Sequence, residues 1–140
     1  MARKPPRLFH LLSLAQHRLL KRGDAVFGDE LGISMTQLGV LFILEGNPGV
    51  PAKHVSEVLG INKSAITTLI DRMVESGLVR REPSDEDGRA ICLRPTATGL
   101  AKAAQARPIL AGLSRRMTQP FTDSEMAVVV RFLESILERF

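Results

Sequence analysis

The stretch PAKHVSEVLGINKSAITTLIDRMVESGLVRREPSDEDGRAICLRPT, Pro51 to Thr96, changes its hydrophobic period partway along. Pro51 stands at a favourable first-turn position for a short helix, and Gly60 is placed to end it. Only Ile61 and Asn62 separate this helix from the next, for which Asn62 is a good N-cap and Gly77 a left-handed stop. Within the second helix Ala65, Ile66, Leu69, Ile70, Met73 and Val74 form an apolar face. Lys63, Ser64, Thr67, Thr68, Asp71, Arg72 and Glu75 form the other. Beyond Gly77 the runs LVRRE and AICLR are β-rich and predict a hairpin around the acidic loop from Pro83 to Gly88.

Outward from this stretch the chain is helical. Leu8, Leu11, Leu12, Ala15, Leu19 and Leu20 recur at helical spacing and predict a first helix from Pro6 to about Val26. Ser34 with Gln37 forms a capping-box pattern opening a helix to about Glu45, closed by Gly46-Asn47-Pro48-Gly49. Thr96 caps a long alanine-rich helix that Pro108 should kink, because proline removes a backbone donor. Thr122 with Glu125 opens a last helix, lined on one side by Met126, Val129, Val130, Leu133, Ile136, Leu137 and Phe140.

Composition bounds the function. With 140 residues, 44% hydrophobic and 24% charged, the chain has the balance of one globular domain rather than of a disordered segment. Its net charge of +4 suits a polyanionic partner. The one cysteine, Cys92, rules out an intrachain disulfide and a cysteine-based zinc site, and fits a reducing, cytoplasmic setting. The N-terminal apolar residues are interrupted by His10, Ser13, Gln16, His17 and Arg18, so a retained helix is expected rather than a signal peptide or a membrane span. There is no HExxH, phosphate loop, nucleophile elbow or carboxylate-histidine cluster, so the expectation is no catalytic residue, no metal and no cofactor.

Helix, tight turn, helix and hairpin is the order of a winged helix-turn-helix, whose second helix enters the major groove of DNA led by its N-terminal residues. In that reading Asn62, Lys63, Ser64, Thr67, Thr68 and Arg72 offer short polar groups to base edges and phosphates. Arg80, Arg81 and Arg94 make a basic hairpin that neutralises phosphate, and Arg89 follows the tip, where an arginine reaches a narrow minor groove. Asp85, Glu86 and Asp87 then serve to position arginines, with Gly88 permitting the tight turn. Other readings stay open: a solvated helix face, or a winged helix used for protein contact without operator-specific DNA binding. The apolar stripes of the terminal helices need a cover, either each other or a second subunit.

These features together resemble the MarR-type transcriptional regulators, over nearly the whole chain. The resemblance rests on SMTQLGVLFIL (34–44), on Val55 to Gly99 with the Asp87-Gly88-Arg89 wing, and on the long and terminal helices that follow. It implies a mainly α fold, a winged helix-turn-helix with a small β-hairpin wing and long N- and C-terminal dimerisation helices. It implies a single 1–140 domain, with 1–30 and 96–140 as dimerisation helices and 34–95 as the DNA-binding region. A homodimeric repressor of double-stranded DNA is expected, released by a small aromatic or phenolic effector. Asp71 would pair with Arg89 and brace the wing, and the basic residue usual in the family's wing is here Gly88. Phe9, His10 and His17 interrupt the leucine-rich first helix and are candidates to line an effector cleft, although structural histidines fit as well. Peroxide-sensing members carry a cysteine near the N-terminus, and this chain has none there.

Overall fold

In the computed structural model, which describes residues 7–140, every expected helix and the hairpin are present. The order is α1 (Leu8–Leu31), α2 (Met35–Gly46), α3 (Ala52–Leu59), α4 (Lys63–Glu75), β1 (Val79–Pro83), β2 (Ile91–Pro95), α5 (Ala97–Thr118) and α6 (Asp123–Arg139). Packing divides the chain into two compact units, Met1–Ala106 and Arg107–Phe140. No single helix among the described residues is long and apolar enough to cross a membrane.

α1 runs five residues past the expected end at Val26, while the expected start at Pro6 lies outside the described residues. The extension follows burial: Gly23, Phe27 and Leu31 continue one stripe at a spacing of four and are the buried residues of α1. The helix stops where Gly32 turns left-handed, with Gly32 N–H donating to Gly28 O and Ile33 N–H to Phe27 O. Its last turn holds no basic residue of its own, and Lys102 of α5 instead donates from Nζ to Leu31 O at 2.6 Å. α2 opens on the predicted capping box of Ser34 and Gln37, and Asp24 of α1 accepts a further bond from Met35 N–H. Pro51 takes the N-cap position of α3, one residue before the first turn.

The core of the first unit gathers Phe27, Leu38, Leu41, Leu44, Val55 and the α4 ridge Ile66, Ile70 and Met73, all nearly inaccessible. Ala65, expected on the buried face of α4, is exposed beside Ser64. β1 and β2 pair antiparallel with Arg80 opposite Arg94 and Glu82 opposite Cys92. Val79 and Leu93 are buried on one face of the hairpin, and the Cys92 thiol is buried on the other, so it is an internal side chain. A third, one-residue strand was not foreseen: Leu93 N–H donates to Val50 O and Gly49 N–H to Leu93 O, which tie the turn before α3 to β2.

The start of α5 locks against the end of α4. Thr96 Oγ1 donates to Gly77 O at 2.6 Å and accepts from Gly99 N–H, the predicted cap with an added partner. Gly99 lies so close to β1 that a Cβ there would overlap the Leu78 carbonyl oxygen and approach Leu41 Cδ2 at 2.9 Å. α5 then continues as one helix through Pro108.

The second unit holds the rest of α5 and α6. Thr122 and Glu125 form the predicted capping box, and the Glu125 carboxyl is held below its ordinary pKa first by the Thr122 N–H and then by its hydroxyl. That cap is present above the unfolded value and is lost as pH falls through the lowered folded one. α6 buries none of its residues, and Val129, Leu133, Leu137 and Phe140 are exposed.

Gly99→Ala should lower unfolding stability by about 1–3 kcal/mol through overpacking, despite the better helix propensity of alanine. Gly28→Ala, in a helix with no atom near the added methyl, should instead stabilise by roughly 0.5–1 kcal/mol. Urea titrations of the two variants check the opposite signs.

Candidate nucleic-acid interface

Burial of Ile66, Ile70 and Met73 turns the opposite face of α4 to solvent, where Lys63, Ser64, Thr67, Thr68 and Arg72 are all exposed. The helix N-terminus belongs to this face. Asn62 Oδ1 accepts from Ala65 N–H at 2.8 Å and from the Ser64 hydroxyl at 3.1 Å, so the Asn62 amide NH2 remains for an outside acceptor. Thr67 and Thr68 donate to Lys63 O and Ser64 O one turn back. These hydroxyls keep lone pairs facing outward, and each can turn its proton to an incoming acceptor at the cost of one local bond.

Two grooves flank the face. One separates α4 from the start of α2 and is lined by Ser34, Thr36, Asn62, Ser64, Thr68 and Arg72. The other lies between α3 and α4, with Lys53, Ser56, Lys63 and Thr67 at its walls. Thr36, Lys53 and Ser56 escaped the sequence reading because helical period places residues on a face of their own helix only. Their approach to α4 is a tertiary fact. The single sequence cue was Lys53, a cation in the first turn of the helix preceding α4.

The hairpin departs from expectation in three ways. It is neutral rather than basic, since Arg80, Arg81, Arg89 and Arg94 are matched by Glu82, Asp85, Glu86 and Asp87. Arg80 and Arg94 both bind Glu82, through Oε1 at 2.5 Å and Oε2 at 2.8 Å, and Arg94 also meets Asp85 at 3.4 Å. Next, Asp71 braces the wing through Arg81, Nη2 to Oδ1 at 2.5 Å, and not through Arg89. Arg81 is two residues into a strand that leaves the end of α4, whereas the far end of both strands is already roughly 7 Å further by strand rise and Arg89 lies beyond it. Gly88, third, has no left-handed φ and open space around a Cβ, so the turn does not require glycine. The turn is closed by other groups. Asp87 Oδ1 accepts from Arg89 N–H, Asp87 O from Ala90 N–H, and Ala90 O from Ser84 N–H.

The tip carboxylates therefore position backbone and the strand arginine Arg94. The Arg89 side chain carries its guanidinium at the exposed tip with no ion pair among the described residues. Phe9, His10 and His17 are exposed on α1 within the first unit, with Phe9 at 96% accessibility. Among the described residues there is no His/Cys/Asp/Glu group able to hold a metal ion.

Both members of the Asp71–Arg81 pair are substantially exposed, so Asp71→Asn should cost less than about 1 kcal/mol of global stability. Amide exchange in β1 should quicken nonetheless, because the pair is a side-chain tie between α4 and the wing. Exchange measured by NMR at Arg81 and Glu82, beside an unchanged melting curve, checks this.

Comparison with known proteins agrees with this architecture. A sequence model of the MarR family matches residues 31–90. Over 132 residues, 94% of this chain and 89% of the relative, the sequence is 26% identical to the multiple antibiotic resistance protein MarR of Escherichia coli (strain K12). It is 30% identical over 119 residues to the HTH-type transcriptional repressor IacR of Pseudomonas putida, covering 85% of this chain and 66% of that one. The crystal structure of a mutant MarR from E. coli complexed with operator DNA matches with a TM-score of 0.78 and 26% identity, over 94% of this chain and 91% of that one. Sequence likeness across the helix pair and wing, and a fold shared end to end, agree on one assignment: the chain belongs to the MarR family.

Proposed function

We propose that the protein is a sequence-specific regulator of transcription that binds double-stranded DNA as a homodimer in the cytoplasm, represses, and is released by a small aromatic or phenolic ligand. The observation that carries this is the exposed polar face of α4, set beside an arginine-tipped wing, in a chain that shares its fold with an operator-bound relative. In this reading Asn62, Ser64 and Thr67 meet base edges, while Lys63, Thr68 and Arg72 meet phosphates at the groove rims. Arg80 and Arg81 stand behind them on the wing and Asp87 sets the backbone from which Arg89 projects. Two-fold pairing would place two copies of α4 about one DNA turn apart, roughly 34 Å, on a pseudo-palindrome.

Dimerisation is supported by exposed apolar residues at both ends of the chain: Leu11 and Leu19 on α1, and Val129, Leu133 and Leu137 on α6. Contiguous apolar surface of this kind marks a site of interaction. Phe9, His10 and His17 mark the part of α1 assigned to the effector. A ligand there releases DNA only by preferring the conformation whose recognition helices are mis-spaced, since equal affinity for both states shifts nothing.

Sedimentation should give twice the 15.4 kDa chain mass, and sequencing duplexes retained from a random pool should give a two-fold site. A monomer that enriches no sequence would sink the regulator and favour a protein-contact module. On the selected operator, Arg89→Ala should weaken binding more when the flanks are A·T-rich than when they are G·C-rich, because narrow minor grooves hold the more negative potential. Equal loss on both flanks would make Arg89 an ordinary phosphate contact.

A further inference from the structure

We propose that Glu82 governs how strongly the wing grips the DNA backbone, by holding Arg80 and Arg94 out of phosphate contact. The proposal rests on the DNA-binding reading and adds a residue that acts through its neighbours. Arg80 and Arg94 are cross-strand partners, and like charges directly opposite destabilise a hairpin. Glu82 lies two residues along β1 on the same face, and each of its carboxylate oxygens takes one guanidinium. Its side chain is only 35% exposed, so the pairing is partly shielded from water. Arg94 is further fixed where it lies against the turn before α3, 3.2 Å from the place a Gly49 Cβ would occupy. Arg80 is the more exposed of the two, at 56%, and is the one able to swing outward.

A phosphate approaching the wing must therefore compete with a carboxylate already in place. The competition has the same strength on every sequence, because backbone contacts carry no base information. Holding these two arginines back lowers affinity for all duplexes and leaves discrimination to α4 and Arg89. It also explains why a wing in a DNA-binding chain is electrically neutral.

The test is fluorescence anisotropy of the full chain on a selected operator and on a random duplex, across a salt series. Glu82→Gln keeps the shape and removes the charge. It should steepen the log–log salt dependence by about one, for the released Arg80, and raise affinity for both duplexes about threefold to tenfold at 0.1 M salt, with their ratio unchanged. Arg80→Gln, at an exposed position that does not endanger the fold, should leave the salt slope as in the wild type. An unchanged slope in a folded Glu82→Gln protein, or a slope shallower by about one in Arg80→Gln, would overturn the proposal alone. A wild-type protein that binds no duplex overturns the regulator reading, and this proposal with it.

Discussion

Everything about the exposed polar face of α4 depends on the burial of Ile66, Ile70 and Met73 beneath the helix. Three apolar side chains within eight residues allow one rotation of the helix about its axis, since turning it away would return them to water at about 1.5–3 kcal/mol each. Once that rotation is set, Ser64, Thr67 and Arg72 have no direction left but outward. Asn62 fixes the helix start, and Leu78 and Val79, both buried, fix where the chain emerges as β1. Gly99 then seals the far side by letting α5 rest on the Leu78 carbonyl.

On the wing, charge is arranged for direction rather than strength. None of its ion pairs is deeply buried, and exposed pairs of this kind each contribute about 0–1 kcal/mol. Their value lies in where they hold guanidinium groups. Arg81 points back to α4, Arg80 and Arg94 point at Glu82, and Arg89 is left at the tip. A hairpin with the same four arginines and no acids would be a general polyanion binder.

Local chemistry was legible in the sequence, and long-range pairing was not. The capping residues Ser34, Asn62, Thr96 and Thr122 were all readable, because a cap is decided within about four residues. The hairpin followed from composition, and the polar face of α4 from period. The true end of α1 was obscured by Gly23 and Gly28, which lower helix propensity in a segment held by the packing of Phe27 and Leu31. The Val50 bridge to Leu93 spans more than forty residues and leaves no periodic trace. Choosing Arg81 over Arg89 as the partner of Asp71 required knowing the strand register. Assigning the turn to Gly88 overvalued glycine where the Asp87 side chain does the closing.

The bond from Lys102 to the last carbonyl of α1 joins groups separated by 71 positions in the chain. During synthesis at about 5–20 residues per second, the end of α1 waits several seconds for the cation that completes it. Gly99 and Thr96 arrive in the same interval, so the first unit acquires its last ties only after the whole wing has been made. Until then the carbonyls of Leu31 and Leu78 lack the partners that Lys102 and Thr96 supply in the finished protein.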